Sequence, residues 1–161
     1  MLEIERKFEV NANRSEWRGQ VVRSFPIVQG YFAAAGEGGA SVRVRISGDD
    51  KANLNIKSND VGICRQEYEY PIPVEDAREM LRQFCGGRVI EKTRHIVPAA
   101  EAGLCWEIDE YHGAFAGHLT AELEIPSADF DFVRPEWLGG ERTDDPRFTN
   151  AALAQSQCWP E

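Results

Sequence analysis

Histidine is scarce in this chain. There are three in 161 residues, His95, His112 and His118, and no H-E-x-x-H spacing, which argues against a metal site built from imidazoles. The four cysteines, Cys64, Cys85, Cys105 and Cys158, contain no C-x-x-C pair. Scattered in this way they read as free, mostly buried thiols, not as a disulfide framework or a zinc site. No apolar run approaches the roughly 20 residues of a membrane helix. The opening Met1-Leu2-Glu3-Ile4-Glu5-Arg6-Lys7 carries acid where a signal peptide needs a basic flank and an apolar stretch, so the expected compartment is the cytoplasm. Positive charge is also short, with 18 Lys and Arg against 27 Asp and Glu and a net charge of −9. That balance disfavours nucleic acid and anionic membranes as partners. An anionic ligand would have to meet a local, enclosed positive site.

What is present is an ordinary globular composition, 42% hydrophobic and 28% charged, without internal repeat, low-complexity segment or linker. It is read as a single domain over residues 1–161. Most of the chain alternates with period two, the signature of half-buried strands. Strands are expected at Leu2–Val10, Val28–Ala34, Ser41–Ser47, Ala52–Lys57, Arg65–Ile72, Val89–Val97, Leu104–Tyr111 and Thr120–Ile125. Gly36, Gly38 and Gly39 suit a hairpin turn, with a phosphate cradle as the alternative. Helices are expected at Glu75–Phe84, with Ala77, Leu81 and Phe84 on one side and Gly86 as a stop, at Ala128–Phe132, and at Asn150–Gln157 behind a Thr149 N-cap. The fold class is mainly β with some helix (α+β): an eight-stranded antiparallel barrel or sandwich with a few surrounding helices.

The charges on these strands carry the functional information. Residues two apart share a face of a strand, and here they repeatedly share a sign. Glu3 and Glu5, followed by Lys7, oppose Ile4 and Phe8. Arg43 and Arg45 alternate with Val42, Val44 and Ile46, and Lys57 opposes Ile56. Glu67 with Glu69, Lys92 with Arg94, Glu107 with Asp109 and Glu122 with Glu124 repeat the pattern. A solvated sheet face would usually mix signs, because like charges side by side repel. The alternative is a barrel with these side chains inside and apolar residues outside, under the helices. Two like charges about 4 Å apart repel by roughly 4 kcal/mol at an effective dielectric of about 20, so such an interior calls for counter-ions. Carboxylates suit Mg²⁺ or Mn²⁺, and arginine and lysine suit phosphate oxygens. Together they describe a cage for a metal–polyphosphate complex.

Glu3-Ile4-Glu5-Arg6-Lys7 resembles the E-x-E-x-K signature of the CYTH superfamily, the triphosphate tunnel metalloenzymes. The likeness continues in order through Gln29-Gly30-Tyr31, Val42-Arg43-Val44-Arg45, Ile56-Lys57-Ser58, Arg65-Gln66-Glu67-Tyr68-Glu69, Glu91-Lys92-Thr93-Arg94, Glu107-Ile108-Asp109 and Ala121-Glu122-Leu123-Glu124. It reaches the tail at Glu136-Trp137 and Arg147-Phe148-x-Asn150. The resemblance implies an eight-stranded antiparallel tunnel and metal-dependent chemistry on a triphosphate, most like the short bacterial tripolyphosphatases. It implies Lys7, Arg43, Arg45, Lys57 and Arg94 as substrate-binding cations. Glu3, Glu5, Asp109, Glu122 and Glu124 become metal ligands or water-positioning groups for Mg²⁺ or Mn²⁺, and Glu67 and Glu69 orient the cations. By the same resemblance Lys92 with Tyr31 is a catalytic base dyad, the alternatives being a phosphate ligand and a core aromatic. His95 stands where such members often carry tyrosine, and its parity, opposite to Lys92 and Arg94, makes it a packing or surface residue. The terminal helix either closes a tunnel mouth or packs outside.

Two other chemistries share such a cage, a class IV-type adenylyl cyclase and a thiamine triphosphatase, and a non-catalytic polyphosphate-binding module would need the cations only. The expected partner is a small triphosphate substrate, with no nucleic acid and no membrane. The oligomeric state is open, a homodimer included.

Overall fold

The computed structural model describes residues 2–32, 40–58 and 64–161, the side chains of residues 2, 64 and 65 excepted. In chain order the strands are β1 (Leu2–Val10), β2 (Arg23–Tyr31), β3 (Ser41–Ser47), β4 (Lys51–Lys57), β5 (Cys64–Ile72), β6 (Val89–Pro98), β7 (Cys105–Tyr111), β8 (Leu119–Glu124) and β9 (Leu138–Glu141). Helix α1 (Val74–Phe84) follows β5, and α2 (Asn150–Ser156) lies near the C-terminus. Every pairing is antiparallel, in the order β5-β4-β3-β2-β6-β7-β8-β1-β9. The start of β1 also meets the start of β5, Leu2 opposite Gln66 and Ile4 opposite Cys64. This short seam brings the two ends of the eight-strand order together, giving the barrel-like form that alternation implied.

The alternation decides what faces where. Outward-pointing Phe8, Val10, Trp106, Ile108, Ala121 and Leu123 form the largest apolar cluster. It is covered by Trp17 from a 3-10 turn (Glu16–Gln20) and by Phe130, Phe132 and Trp137. On the other side α1 sets Ala77 and Leu81 over Val44, Ile46 and Ala52 of β3 and β4. The main apolar cores therefore lie outside the barrel, and its interior is left to polar side chains.

Gly30 fixes the approach of α1 to β2. A Cβ there would stand 2.5 Å from Cys85 Sγ and 2.8 Å from Leu81 Cδ2, closer than packed atoms tolerate. Gly30→Ala is expected to destabilise the fold by about 1–3 kcal/mol through overpacking. Urea unfolding would show this as a lower midpoint at unchanged slope.

The structure departs from the sequence reading at definite places. β2 begins at Arg23, five residues before the expected Val28, because Phe25-Pro26-Ile27 continue the pairing with β6 despite the proline. The short helix expected at Ala128–Phe132 is absent. Phe130 and Phe132 both turn onto the outer cluster, the spacing of extended chain, and the Ser127 hydroxyl donates to Asp129 Oδ1 in a local turn. β9 has no counterpart among the expected strands. Two of the three cysteines whose side chains are described, Cys105 and Cys158, are exposed, and only Cys85 is buried. Cys105 and Cys158 sit at a strand edge and in the tail, where the core does not reach. Gly36, Gly38 and Gly39 lie outside the described residues. No helix among the described residues is long and apolar enough to cross a membrane.

Candidate active site

The interior is one cavity of about 730 Å³. All six like-charged pairs turn towards it. Glu3, Glu5, Lys7, Arg43, Arg45, Lys57, Glu67, Glu69, Arg94, Glu107, Glu122 and Glu124 line it, while Lys92 and Asp109 share that parity but are fully buried just behind the wall. The solvated-face alternative is thereby excluded. His95 takes the outer face as parity required, against the Trp17 ring and bonded to Ser24 and Glu110.

Strand register brings the charges together. Lys7 lies opposite Glu122 on β8 and its Nζ reaches Glu122 Oε1 at 2.7 Å, with Phe148 O at 3.1 Å. Burial opposes a charge on this amine, yet Glu122 holds its pKa above the ordinary lysine value. Arg94 lies opposite Asp109 and grips it with both prongs, Nε to Oδ1 at 2.7 Å and Nη2 to Oδ2 at 2.8 Å. Its remaining donors go to Glu107 and Glu122. Burial works against both partners, but their opposition keeps Arg94 charged and Asp109 and Glu122 below the usual carboxylate range. Lys57 Nζ joins Glu3 at 2.7 Å and Glu67 at 3.1 Å.

The arginines of β3 are held differently. Arg43 meets Glu67 only at 3.5 Å, and its buried Nε has no hydrogen-bond partner among the described residues. Arg45 donates from Nε to the neutral Gln29 side chain at 3.1 Å. Burial first, then the charges of Arg43 and Arg94, push the Arg45 guanidinium down to about 10. Among the described residues Arg45 bonds no carboxylate and Arg43 meets only Glu67, at 3.5 Å, so both retain donors and charge in a region where an anion would relieve repulsion.

Carboxylates crowd another part of the wall. Glu5 stands directly opposite Glu124, and burial followed by the Glu5 charge raises the Glu3 carboxyl to about 7. These are hard oxygen donors, the set that suits Mg²⁺ or Mn²⁺. Among the described residues no three acidic, histidine or cysteine side chains converge into a ready-made metal site. Mg²⁺ commonly binds through one or two carboxylates plus substrate phosphates, and the donor set fits that mode. Two carboxylates expected as ligands are committed elsewhere: both oxygens of Asp109 serve Lys92 and Arg94, and those of Glu122 serve Lys7 and Arg94.

The raised Glu3 pKa has a definite sign. Between about 4.5 and 7 the folded protein holds a proton that the unfolded chain has released, so this group's contribution favours folding at low pH and is lost as pH rises through 7. In chelator, the melting temperature of Glu3→Gln should therefore gain on wild type between pH 5 and pH 8. A constant difference would contradict the assignment.

Lys92 and Tyr31 are not brought into contact. Lys92 Nζ lies 2.5 Å from Asp109 Oδ2, and the nearby ring is Tyr111, centred 5.7 Å away. Tyr31 lines the cavity and its hydroxyl accepts from Gln29 Nε2 at 3.1 Å. Burial, reinforced by Arg94 and resisted by Asp109, lowers the Lys92 ammonium to about 7. Helix α2 closes one end. Thr149 accepts from Ala152 N as the N-cap, Asn150 and Ala151 line the cavity, and Leu153 and Ala154 pack with Tyr31, Ile90 and Tyr111.

The sequence reading places Glu107 in a like-charged pair without a site role, and it gives Gln29 and Asn55 no role. Gln29 and Asn55 are fully buried among the charges, each two residues from an inward-facing Tyr31 or Lys57. Strand parity marks them, but neutral amides carry no charge signal.

A family model, the CYTH domain, matches residues 1–148. The chain belongs to the CYTH family. Metal dependence is general among CYTH triphosphatases. It is 40% identical over 156 residues to a protein of Acetivibrio thermocellus named inorganic triphosphatase, covering 96% of this chain and 94% of that one. A protein of the same name from Nitrosomonas europaea is 33% identical over 158 residues, covering 97% and 99%. A solved inorganic triphosphatase structure aligns over 99% of this chain and 97% of its own at 32% identity, with a TM-score of 0.68. The likeness of this CYTH chain to these relatives thus spans nearly its whole length.

Proposed function

We propose that the protein hydrolyses inorganic tripolyphosphate or a closely related triphosphate, as its Mg²⁺ or Mn²⁺ complex, within this cavity, and does so in the cytoplasm as a single CYTH domain. The observation that carries the reading is the coexistence in one cavity of under-neutralised Arg43 and Arg45 with crowded Glu3, Glu5 and Glu124. In the strand order β3 stands four places from β8 (β3-β2-β6-β7-β8), so the arginines face the Glu122–Glu124 strand across the interior. A polyphosphate with bound metal brings an anion to the arginines and a cation to the crowded carboxylates at once. The full-length likeness to two proteins named inorganic triphosphatase supports hydrolysis over cyclisation.

In this reading Arg43, Arg45 and Lys57 take phosphate oxygens and stabilise charge as the bond breaks. Lys7 and Arg94 complete the positive lining, held in place by Glu122 and Asp109, and Glu67 and Glu69 orient the basic groups. A divalent ion held by one or two of Glu3, Glu5 and Glu124 would neutralise phosphate charge and fix the line of attack. Lys92, once it has left Asp109 and turned from behind the wall into the cavity, accepts the proton of the attacking water, with the Tyr31 hydroxyl aiding alignment.

The test is phosphate release from tripolyphosphate by purified protein with Mg²⁺ or Mn²⁺, stopped by chelator. Formation of cyclic AMP from ATP without phosphate release would replace hydrolase by cyclase. Glu5→Gln should lower activity by about 10–100-fold at limiting metal, with part of the loss recovered at saturating metal. Full activity at limiting Mg²⁺ would remove Glu5 from the ion's surroundings.

A further inference from the structure

Both arginines of β3 stand opposite neutral amides. Arg43 pairs in register with Asn55, and Arg45 with Gln29. Both amides are fully buried, where a polar side chain is costly unless its hydrogen bonds are made. Asn55 spends both amide hydrogens on Glu67 and Glu69, at 2.8 and 2.6 Å. Gln29 makes a directional chain: its Oε1 accepts from Arg45 Nε, and its Nε2 donates to the Tyr31 hydroxyl. These two bonds fix which end of the amide points which way.

A carboxylate at position 29 would make a stronger, charge-assisted bond to Arg45. It would also neutralise the cation and compete with phosphate. A glutamate at 29 would in addition lose the N–H that meets Tyr31. The tyrosine hydroxyl would then donate its proton to that carboxylate and not to a ligand in the cavity it lines.

We propose that Gln29 is a positioning residue for the triphosphate. It aims the Arg45 guanidinium without neutralising it and holds the Tyr31 hydroxyl as a hydrogen-bond donor towards the cavity. The inference rests on the function proposed above. It adds that affinity for a highly charged anion depends on a buried side chain being an amide and not its isosteric acid. The Arg45 guanidinium, already disfavoured by burial and by Arg43 and Arg94, is what a carboxylate would neutralise.

The test compares wild type, Gln29→Glu and Gln29→Met, measuring melting temperature without ligand, and kcat and KM for tripolyphosphate with Mg²⁺. Gln29→Glu should melt higher than wild type, since it pairs an unneutralised, half-buried cation. Its KM should nevertheless rise by about 10–100-fold, the range expected when a charged hydrogen-bonding group is lost to substrate. Gln29→Met keeps length but aims nothing. It should melt no higher than wild type and lose kcat as well as KM. A merely structural glutamine would give Gln29→Glu a lower melting temperature with KM unchanged, and that result overturns the inference. Equal KM for Gln29→Glu and wild type overturns it as well, even if stability rises. Failure of wild type itself to turn over or bind tripolyphosphate would instead strike the functional reading.

Discussion

Replacing Arg43 or Arg45 by alanine should slow tripolyphosphate hydrolysis by about 10²–10³-fold, the loss typical when one preorganised donor to a developing charge is removed. The size of the effect follows from how little else these side chains do. Arg94 is bound by Asp109, Glu107 and Glu122, and Lys7 by Glu122 and a backbone carbonyl, so those cations are largely spent on the fold. Arg43 keeps an unpartnered Nε and Arg45 bonds only a neutral amide among the described residues. Stability should move the other way. Arg45→Ala relieves a cation held down to about 10 by burial and by its neighbours, so the ligand-free variant should melt at or above the wild-type temperature. Metal with tripolyphosphate should raise the melting temperature of wild type, and should raise that of the variant less. Normal hydrolysis by either alanine variant would return these arginines to a structural role.

Lys92→Ala should cost about 10²–10⁴-fold in kcat if Lys92 is the proton acceptor, the usual range for a general base. The sign of the pH dependence is set by the amine: only its neutral form accepts a proton, and burial lowers the ammonium to about 7. The wild-type rate should climb as pH rises through 7 and then level off, and Lys92→Ala should lose that climb. Tyr31→Phe should cost less and keep it. Asp109, 2.5 Å from Lys92 Nζ, must release the amine for this to happen. The competing outcome is a variant whose KM rises while its pH profile stays as in wild type. Lys92 would then only brace Asp109 and Arg94, and a metal-held carboxylate would activate the water.

Much of this was legible because period-two alternation and charge coincide. β1 and β3 have their expected limits, and both carry inward charge on alternate residues. Legibility failed where side chains carry no alternation. β9, Leu138-Gly139-Gly140-Glu141, has two central glycines and little pattern to read, yet it pairs with Phe8 and Val10 of β1. At 128–132 the two phenylalanines stand two apart, the spacing of extended chain, and the outer core takes up both. In the site, parity could place Asp109 and Lys92 on the inward face. It could not show that the two satisfy one another behind the wall, because that depends on which cross-strand partner is nearest. The buried amides escaped notice for the complementary reason: their partners make them functional, and partners are absent from a linear pattern.

The most direct test of the central claim is a crystal structure of the protein with Mn²⁺ and tripolyphosphate, or a slowly hydrolysed analogue, with manganese located by its anomalous scattering. The account predicts phosphate oxygens on Arg43, Arg45 and Lys57 inside the barrel, with manganese bridging those phosphates to at least one of Glu3, Glu5 and Glu124. Phosphate and manganese bound on the outer face, with Arg43 and Arg45 untouched, would contradict it.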